Sequence, residues 1–183
     1  MPEPVTAIVV RTPLPRPLER VRRRHDRAAA LGVPAHVTIL YPWLPASVLG
    51  REARSALAAI ASETRAFEVR FGAVGRWPGV VYLEPEPAWR FSALIDRVAA
   101  RFPEYPPYAG AIEEVIPHLT LVERTGAPLD EIAAAAAAHL PFVRRVRAIE
   151  VLVEDGDRRW RPRWRLPLAP AAPTDDPGPG LRP

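Results

Sequence analysis

The sequence predicts an α+β fold: a duplicated, pseudo-twofold, bilobal arrangement of two antiparallel sheets that face a central cleft, with helices on the outer faces. Two observations support this class. Patterns typical of strand, helix, strand, helix and strand occur twice, at about 5–77 and 78–167. A tetrapeptide of the form His-apolar-Thr-apolar occurs once in each copy, at 36–39 and 118–121. The copies share this order without close residue-by-residue similarity, so the repeat is one of pattern.

The first copy begins with a continuous apolar run at 7–10, which predicts a short buried strand. Apolar residues at helical spacing predict a helix at about 18–31, after which the first tetrapeptide follows as a strand. A second helix is expected at about 47–64. Alternating apolar and charged residues at 67–71 then predict a half-buried strand.

The second copy repeats this order. A strand is expected at 80–83, a helix at about 88–102, and then the second tetrapeptide as a strand. A further helix begins at Pro128, because proline is favourable in the first helical turn. A long strand at 146–153 completes the copy.

A hairpin and a tail end the chain. Asp155-Gly156 is a hairpin-turn signal, and the chain is expected to return as an added strand at 160–166. From 169 to 183 the sequence is rich in Pro, Gly and Asp and has no apolar periodicity. We therefore expect a disordered tail there, because such a segment cannot bury a core.

Composition indicates one globular domain, at residues 1–168. Hydrophobic residues make up 48% of the chain and no apolar run is long enough for a membrane span. No secretory signal is visible at Met1, so a cytoplasmic protein is expected. Cysteine is absent, which excludes disulfides and thiolate chemistry. All 25 basic residues are Arg, and we interpret this usage as a composition bias of the genome.

The two tetrapeptides carry the chemistry. Side chains alternate along a strand, so His36 shares one face with Thr38, and His118 shares one face with Thr120. A face with two imidazoles and two hydroxyls can bind a phosphate and move protons on both sides of it. The alternatives are polar strand residues that merely face solvent, or metal ligands. No third ligand lies in register, so we expect no metal.

These tetrapeptides resemble the 2H phosphoesterase superfamily, and most closely its bacterial branch labelled 2′-5′ RNA ligase or RNA 2′,3′-cyclic phosphodiesterase. The matching stretches are His-Val-Thr-Ile-Leu-Tyr-Pro at 36–42 and Pro-His-Leu-Thr-Leu at 117–121. The resemblance implies hydrolysis of a 2′,3′-cyclic phosphate on a ribonucleotide end to a 2′-phosphate, without metal or other cofactor. It also implies that His36 is the acid and His118 the base, whereas the residues alone support a pair without an order.

Other side chains are weaker candidates for substrate contact, either by stacking on a base or by reaching a phosphate. They are Tyr41, Trp43, Tyr108, Arg124 and His25. Packing between prolines and aromatic residues explains the loop aromatics equally well, and His25 fits a helix surface or core position. Trp160 and Trp164 are interpreted as packing residues of an edge hairpin rather than as an RNA surface.

The expected partner is an RNA end or a small cyclic-phosphate nucleotide, bound by a monomer with no membrane contact. The alternative is a non-catalytic module of the same fold that binds RNA ends or nucleotides. A third possibility is an RNA-handling protein whose cleft is vestigial and whose Arg-rich surface acts. The two histidines favour the enzyme, because binding a phosphate does not require a pair of groups suited to proton transfer. The sequence does not distinguish hydrolysis from reverse ligation.

Overall fold

The computed structural model describes residues 3–112, 114–124 and 126–171. The strands are β1 (Thr6–Arg11), β2 (His36–Leu40), β3 (Phe67–Trp77), β4 (Val80–Glu86), β5 (Leu119–Glu123), β6 (Phe142–Val146), β7 (Ala148–Glu154) and β8 (Trp160–Pro167). The α-helices are α1 (Arg16–His25), α2 (Arg27–Ala30), α3 (Arg51–Glu63), α4 (Trp89–Arg101) and α5 (Leu129–Ala137).

The strands form one antiparallel sheet in the order β6-β3-β4-β5-β2-β1-β7-β8. The predicted α+β class is confirmed. The two predicted sheets are the two four-stranded halves of this sheet, and they join where Val37 of β2 pairs with Leu119 of β5. The motif strands are therefore neighbours at the centre of the sheet.

Each half of the sheet takes strands from both copies. β3 belongs to the predicted first copy but pairs with β4 and β6 of the second. β7 belongs to the second copy but pairs with β1. The helices also pack across the two copies. Helix α1 of the first copy packs against β5 of the second, and α4 of the second copy packs against β2 of the first. The division at 77/78 itself stays a prediction.

One side of the sheet and the helices enclose the main core. Val37, Ile39, Leu119 and Leu121 of the motif strands are essentially fully buried there. Leu18, Leu57, Phe91, Leu94 and Ile132 from the helices pack in the same cluster. Within the described residues, none of the helices combines the length and the apolarity that a membrane span requires.

Three predicted elements are interrupted. The helix expected at 18–31 is two helices, because Asp26 has an extended backbone and its carboxylate accepts from the N–H groups of Ala28 and Ala29 to cap α2. The helix expected at 47–64 is a 3₁₀ turn, Ala46–Val48, followed by α3. The strand expected at 146–153 is divided between β6 and β7, because these lie in different halves of the sheet.

The first residue of the predicted tail, Ala169, is hydrogen-bonded to the body. The Ala169 N–H donates to the Thr64 carbonyl at 2.9 Å, and its carbonyl accepts from the Ala66 N–H at 2.8 Å. Leu168 is buried beside it. The prediction that disorder begins at 169 was therefore wrong at that residue. The part of the expected tail at 172–183 lies outside the described residues.

Candidate functional site

The His and Thr side chains of the two motifs lie on the side of the sheet opposite the main core. Val37 and Leu119 lie opposite each other across β2 and β5, and both are fully buried on the helix side of the sheet. Because alternate residues in a strand face opposite sides, the His and Thr of both motifs face the other side. This is the arrangement that the sequence predicted for each strand.

The strand register brings the four polar side chains together. The Val37–Leu119 pair, extended by one residue in each direction, sets His36 opposite Thr120 and Thr38 opposite His118. Such opposite residues have Cβ atoms about 4.5–5.5 Å apart. All four side chains are half-buried and line one cleft of about 720 Å³. Each histidine therefore has one threonine beside it on its own strand and another opposite it.

Both imidazoles are held in the same way. The Nδ1 of His36 lies 2.7 Å from the Pro34 carbonyl oxygen, and the Nδ1 of His118 lies 2.7 Å from that of Ile116. A carbonyl only accepts, so each Nδ1 carries a hydrogen and donates it. The Nε2 of each ring is then the atom left to exchange a proton with a ligand. In the structure, the Nε2 of His36 lies 3.2 Å from the Thr38 hydroxyl.

The two rings differ in their electrostatic surroundings. The pKa of His36 is lowered to about 4, mainly by burial. The hydrogen bond to the Pro34 carbonyl opposes this shift, whereas the positive charges of Arg22 and a protonated His118 contribute to it. Burial also lowers the pKa of His118, but the Glu123 carboxylate acts in the opposite direction there. Both rings are therefore mainly neutral at pH 7 in the free protein, and His36 resists protonation strongly.

Two aromatic side chains enclose His118, and neither was singled out from the sequence. The Trp77 ring meets the imidazole edge-on with centroids 4.7 Å apart, and the Tyr82 ring does so at 5.5 Å. Trp77 and Tyr82 also stack on each other at 4.1 Å. Gly75 lies opposite Tyr82, and a Cβ there would overlap the Tyr82 ring. A glycine inside a strand often marks such a close approach, which is the signal in the sequence.

A buried ion pair contributes to the cleft lining and lies near His36. Arg22 Nη2 is 3.0 Å from Asp26 Oδ2, and both side chains are at most 3% exposed. Arg22 Nη1 donates to the Val33 carbonyl at 2.9 Å, next to the Pro34 carbonyl that holds His36. Sequence reasoning missed this pair because Arg22 begins a run of three arginines. Its i,i+4 spacing from Asp26 was the available signal.

Tyr41 and Tyr108, both predicted candidates, also line the cleft. Trp160 joins them, its ring meeting that of Tyr41 edge-on at 6.0 Å. Tyr108 has a left-handed backbone with φ 52°, and its N–H donates to the Tyr41 carbonyl at 2.6 Å. Burial raises the pKa of the Tyr108 hydroxyl, and the nearby Thr38 hydroxyl acts in the opposite direction. Trp160 was interpreted as a packing residue only, whereas it packs on the sheet and also lines the cleft.

Trp43 is a correction to the sequence interpretation. It is 2% exposed and packs edge-on against Phe102 and Trp164, on the helix side of the sheet. It follows β2, where the strand alternation no longer sets the direction of a side chain. Trp43 is therefore a core residue and does not contact a ligand in the cleft.

His25 and Arg124 are not part of the cleft lining. Both line an adjacent groove of about 740 Å³. Their positions therefore do not support direct contact of either side chain with a phosphate held between the motif strands. Across the parts of the chain that the structure describes, no three His, Cys, Asp or Glu side chains are grouped as metal ligands.

The chain carries a His-x-Thr sequence at each of two neighbouring strands of an antiparallel α+β sheet. The chain belongs to the 2′-5′ RNA ligase superfamily, whose sequence model matches residues 10–158. This is a superfamily of enzymes that act on phosphodiester bonds. No curated protein sequence matches the chain significantly.

Solved structures have the same fold at low sequence identity. Escherichia coli LigT in its apo form is 18% identical, with a TM-score of 0.57, and the match covers 91% of this chain and 99% of LigT. The protein TT0787 of Thermus thermophilus is 20% identical with a TM-score of 0.61, covering 90% of this chain and 97% of that one. E. coli LigT complexed with 3′-AMP is 16% identical with a TM-score of 0.54, covering 91% and 99%.

Proposed function

We propose that this chain is a metal-independent phosphodiesterase that hydrolyses a 2′,3′-cyclic phosphate on a ribonucleotide or RNA end to a 2′-phosphate. One observation carries the proposal. Two imidazoles, each fixed through Nδ1 to a backbone carbonyl, lie across neighbouring strands from two threonine hydroxyls in a single cleft. E. coli LigT has been crystallised with 3′-AMP, NADP+ and ATP, which agrees with a nucleotide-sized ligand.

The proton transfers follow from this geometry. The neutral Nε2 of one histidine takes a proton from water as the water oxygen attacks phosphorus. The bond from phosphorus to the ribose 3′-oxygen breaks, and the Nε2–H of the other histidine protonates that oxygen. The 2′-oxygen keeps the phosphate. Each histidine ends in the protonation state that the other had at the start, and exchange with solvent resets the pair.

Thr38 and Thr120 are proposed to bind the phosphate. Their hydroxyls flank the two rings and can donate to the non-bridging oxygens, which carry the charge in the transition state. An anion held there also favours the protonated form of the nearer imidazole. Binding of the substrate thus supplies the imidazolium that is scarce in the free protein at neutral pH.

Either histidine can act as the acid, with the other as the base. The resemblance assigns the acid to His36. The charges in the free protein favour the opposite order, because Arg22 opposes a positive charge on His36 whereas Glu123 supports one on His118. A substrate with a good leaving group distinguishes the two orders, since such a group no longer needs an acid.

The proposed activity is tested with a panel of 2′,3′-cyclic phosphates: mononucleotides, short RNA ends and the cyclic phosphate of ADP-ribose. Phosphorus NMR assigns each product as a 2′- or a 3′-phosphate. We expect turnover with exclusive formation of the 2′-phosphate. Tight binding of these ligands without turnover would instead indicate the non-catalytic module, and a 3′-phosphate product would contradict the proposed bond cleavage.

A further inference from the structure

A second groove opens beside the candidate site. It has a volume of about 740 Å³ and is bounded by the end of α1, the start of α2, the turn between β3 and β4, and the end of β5. Asp26, Val80 and Glu123 line both the groove and the cleft. The groove and the cleft therefore adjoin each other at these residues.

The groove is much more basic than the cleft. Four of its eleven lining residues are exposed arginines: Arg23, Arg24, Arg27 and Arg124. Of the 21 residues that line the cleft, only Arg22 is basic apart from the two motif histidines, and its charge is compensated by Asp26. A general preference for Arg in this chain does not explain the difference, because 25 Arg in 183 residues would place one or two in a lining of eleven.

Most of these charges are available to a ligand. Arg23 lies 3.1 Å from Glu19, whereas Arg24, Arg27 and Arg124 form no ion pair with any residue that the structure describes. The acidic groups in the lining do not cancel them. Asp26 is occupied by Arg22 and by the cap of α2, which leaves the single carboxylate of Glu123. The exposed groove therefore has a net positive charge, and guanidinium groups bind phosphate oxygens in a bidentate manner.

We propose that this groove binds the phosphodiester backbone of a single-stranded RNA whose cyclic-phosphate end lies in the cleft, so that the preferred substrate is an oligonucleotide rather than a mononucleotide. The proposal rests on the proposed function for the identity of that end. Several cations along an open groove suit a chain of phosphates, whereas one small anion would engage only one or two of them. His25, in the same lining, adds a polar ring beside Arg24.

The test compares two substrates that share their reacting nucleotide: a 2′,3′-cyclic mononucleotide, and a five-nucleotide RNA that ends in the same cyclic phosphate. The groove variant is Arg24→Gln/Arg27→Gln/Arg124→Gln. The matched control, Arg51→Gln/Arg54→Gln/Arg145→Gln, removes the same charge from exposed positions on α3 and β6 that line neither cavity. Values of kcat/KM are measured between 50 and 300 mM salt.

At low salt we expect the wild type to prefer the oligonucleotide by about tenfold or more. The groove variant should lose that preference, while its kcat/KM for the mononucleotide changes by less than about twofold. The slope of log kcat/KM against log salt for the oligonucleotide should become shallower by about 2, since each single-strand phosphate contact contributes about 0.7. The control variant should keep the preference for the oligonucleotide. Its kcat/KM for that substrate should fall only by the small amount that its lower net charge causes.

Equal kcat/KM for the two substrates in the wild type, or equal losses in the groove and control variants, would overturn the proposal. A binding experiment separates a failure of the groove proposal from a failure of the proposed function. It uses the same RNA ending in a 2′-phosphate, and fluorescence anisotropy measures its affinity. If no cyclic phosphate is turned over but the groove variant binds this RNA at least tenfold more weakly than the control, the groove proposal stands without the enzyme. If neither variant changes RNA binding, the groove has another occupant, such as an acidic protein surface.

Discussion

Acidification should destabilise the protein through His36 alone by a measurable amount. Its pKa lies at about 4 in the folded protein, whereas that of histidine in an unfolded chain lies at about 6.5. Between these two values the unfolded chain binds a proton that the folded protein does not, so stability falls as the pH falls. The loss is about 2 kcal/mol at pH 5 and about 3 kcal/mol at pH 4, relative to pH 7.

Urea unfolding at pH 4, 5, 6 and 7 measures this contribution when the wild type is compared with His36→Gln. Carboxylates and the other histidines titrate in both proteins, so the difference between them isolates His36. The wild type should lose about 3 kcal/mol more than the variant between pH 7 and pH 4. His139→Gln is the control, because His139 is exposed and lies outside the cleft, and it should follow the wild type.

Parallel pH dependences for the wild type and His36→Gln would refute this reasoning. They would mean that His36 is solvated in solution and accepts a proton as readily as in an unfolded chain. If the pKa is about 4, only about one molecule in a thousand has a protonated His36 at pH 7. The free protein would then hold His36 almost entirely in the state that a general base requires.

Three further predictions concern which histidine is the acid, whether the activity needs a metal, and whether the Tyr82 ring positions His118. If the charges of the free protein set the order, a cyclic phosphate analogue with a good leaving group should rescue His118→Ala and not His36→Ala; rescue of His36→Ala alone would restore the order implied by the resemblance. Extensive treatment with a chelator should leave activity unchanged, and a loss restored by Zn²⁺ or Mn²⁺ would contradict the proposed mechanism. Gly75→Val should displace the Tyr82 ring from His118 and reduce kcat at least about tenfold, whereas a fully active variant, with far-UV circular dichroism confirming the fold, would show that the ring does not position His118.

The motif strands were predictable because a local rule governs them. Alternation along a strand assigns His36 and Thr38 to one side, and the apolar partners of these residues to the other. What the sequence could not provide is the pairing of β2 with β5, since the contact between Val37 and Leu119 joins residues far apart in the chain. For the same reason, the sequence does not reveal that β3 pairs with strands of the second copy and β7 with a strand of the first.

The errors occur where no local rule operates. Trp43 follows the end of β2, beyond the reach of alternation, and its side chain turns into the core. Ala169 lies in a segment of disordered composition, yet two backbone hydrogen bonds to the Thr64–Ala66 segment fix it. Arg22 is a different case, because its i,i+4 spacing from Asp26 was a local sign that distinguished it from Arg23 and Arg24.

The most direct test of the two-histidine mechanism is the turnover of a 2′,3′-cyclic phosphate by His36→Ala, His118→Ala and the double variant. Each single variant should lose at least about 10²-fold in kcat while its thermal unfolding remains cooperative. The double variant should be little worse than the worse single one, because the pair acts as a unit. His139→Ala, the control, should retain wild-type activity. Near-wild-type turnover by either His36→Ala or His118→Ala would contradict the mechanism.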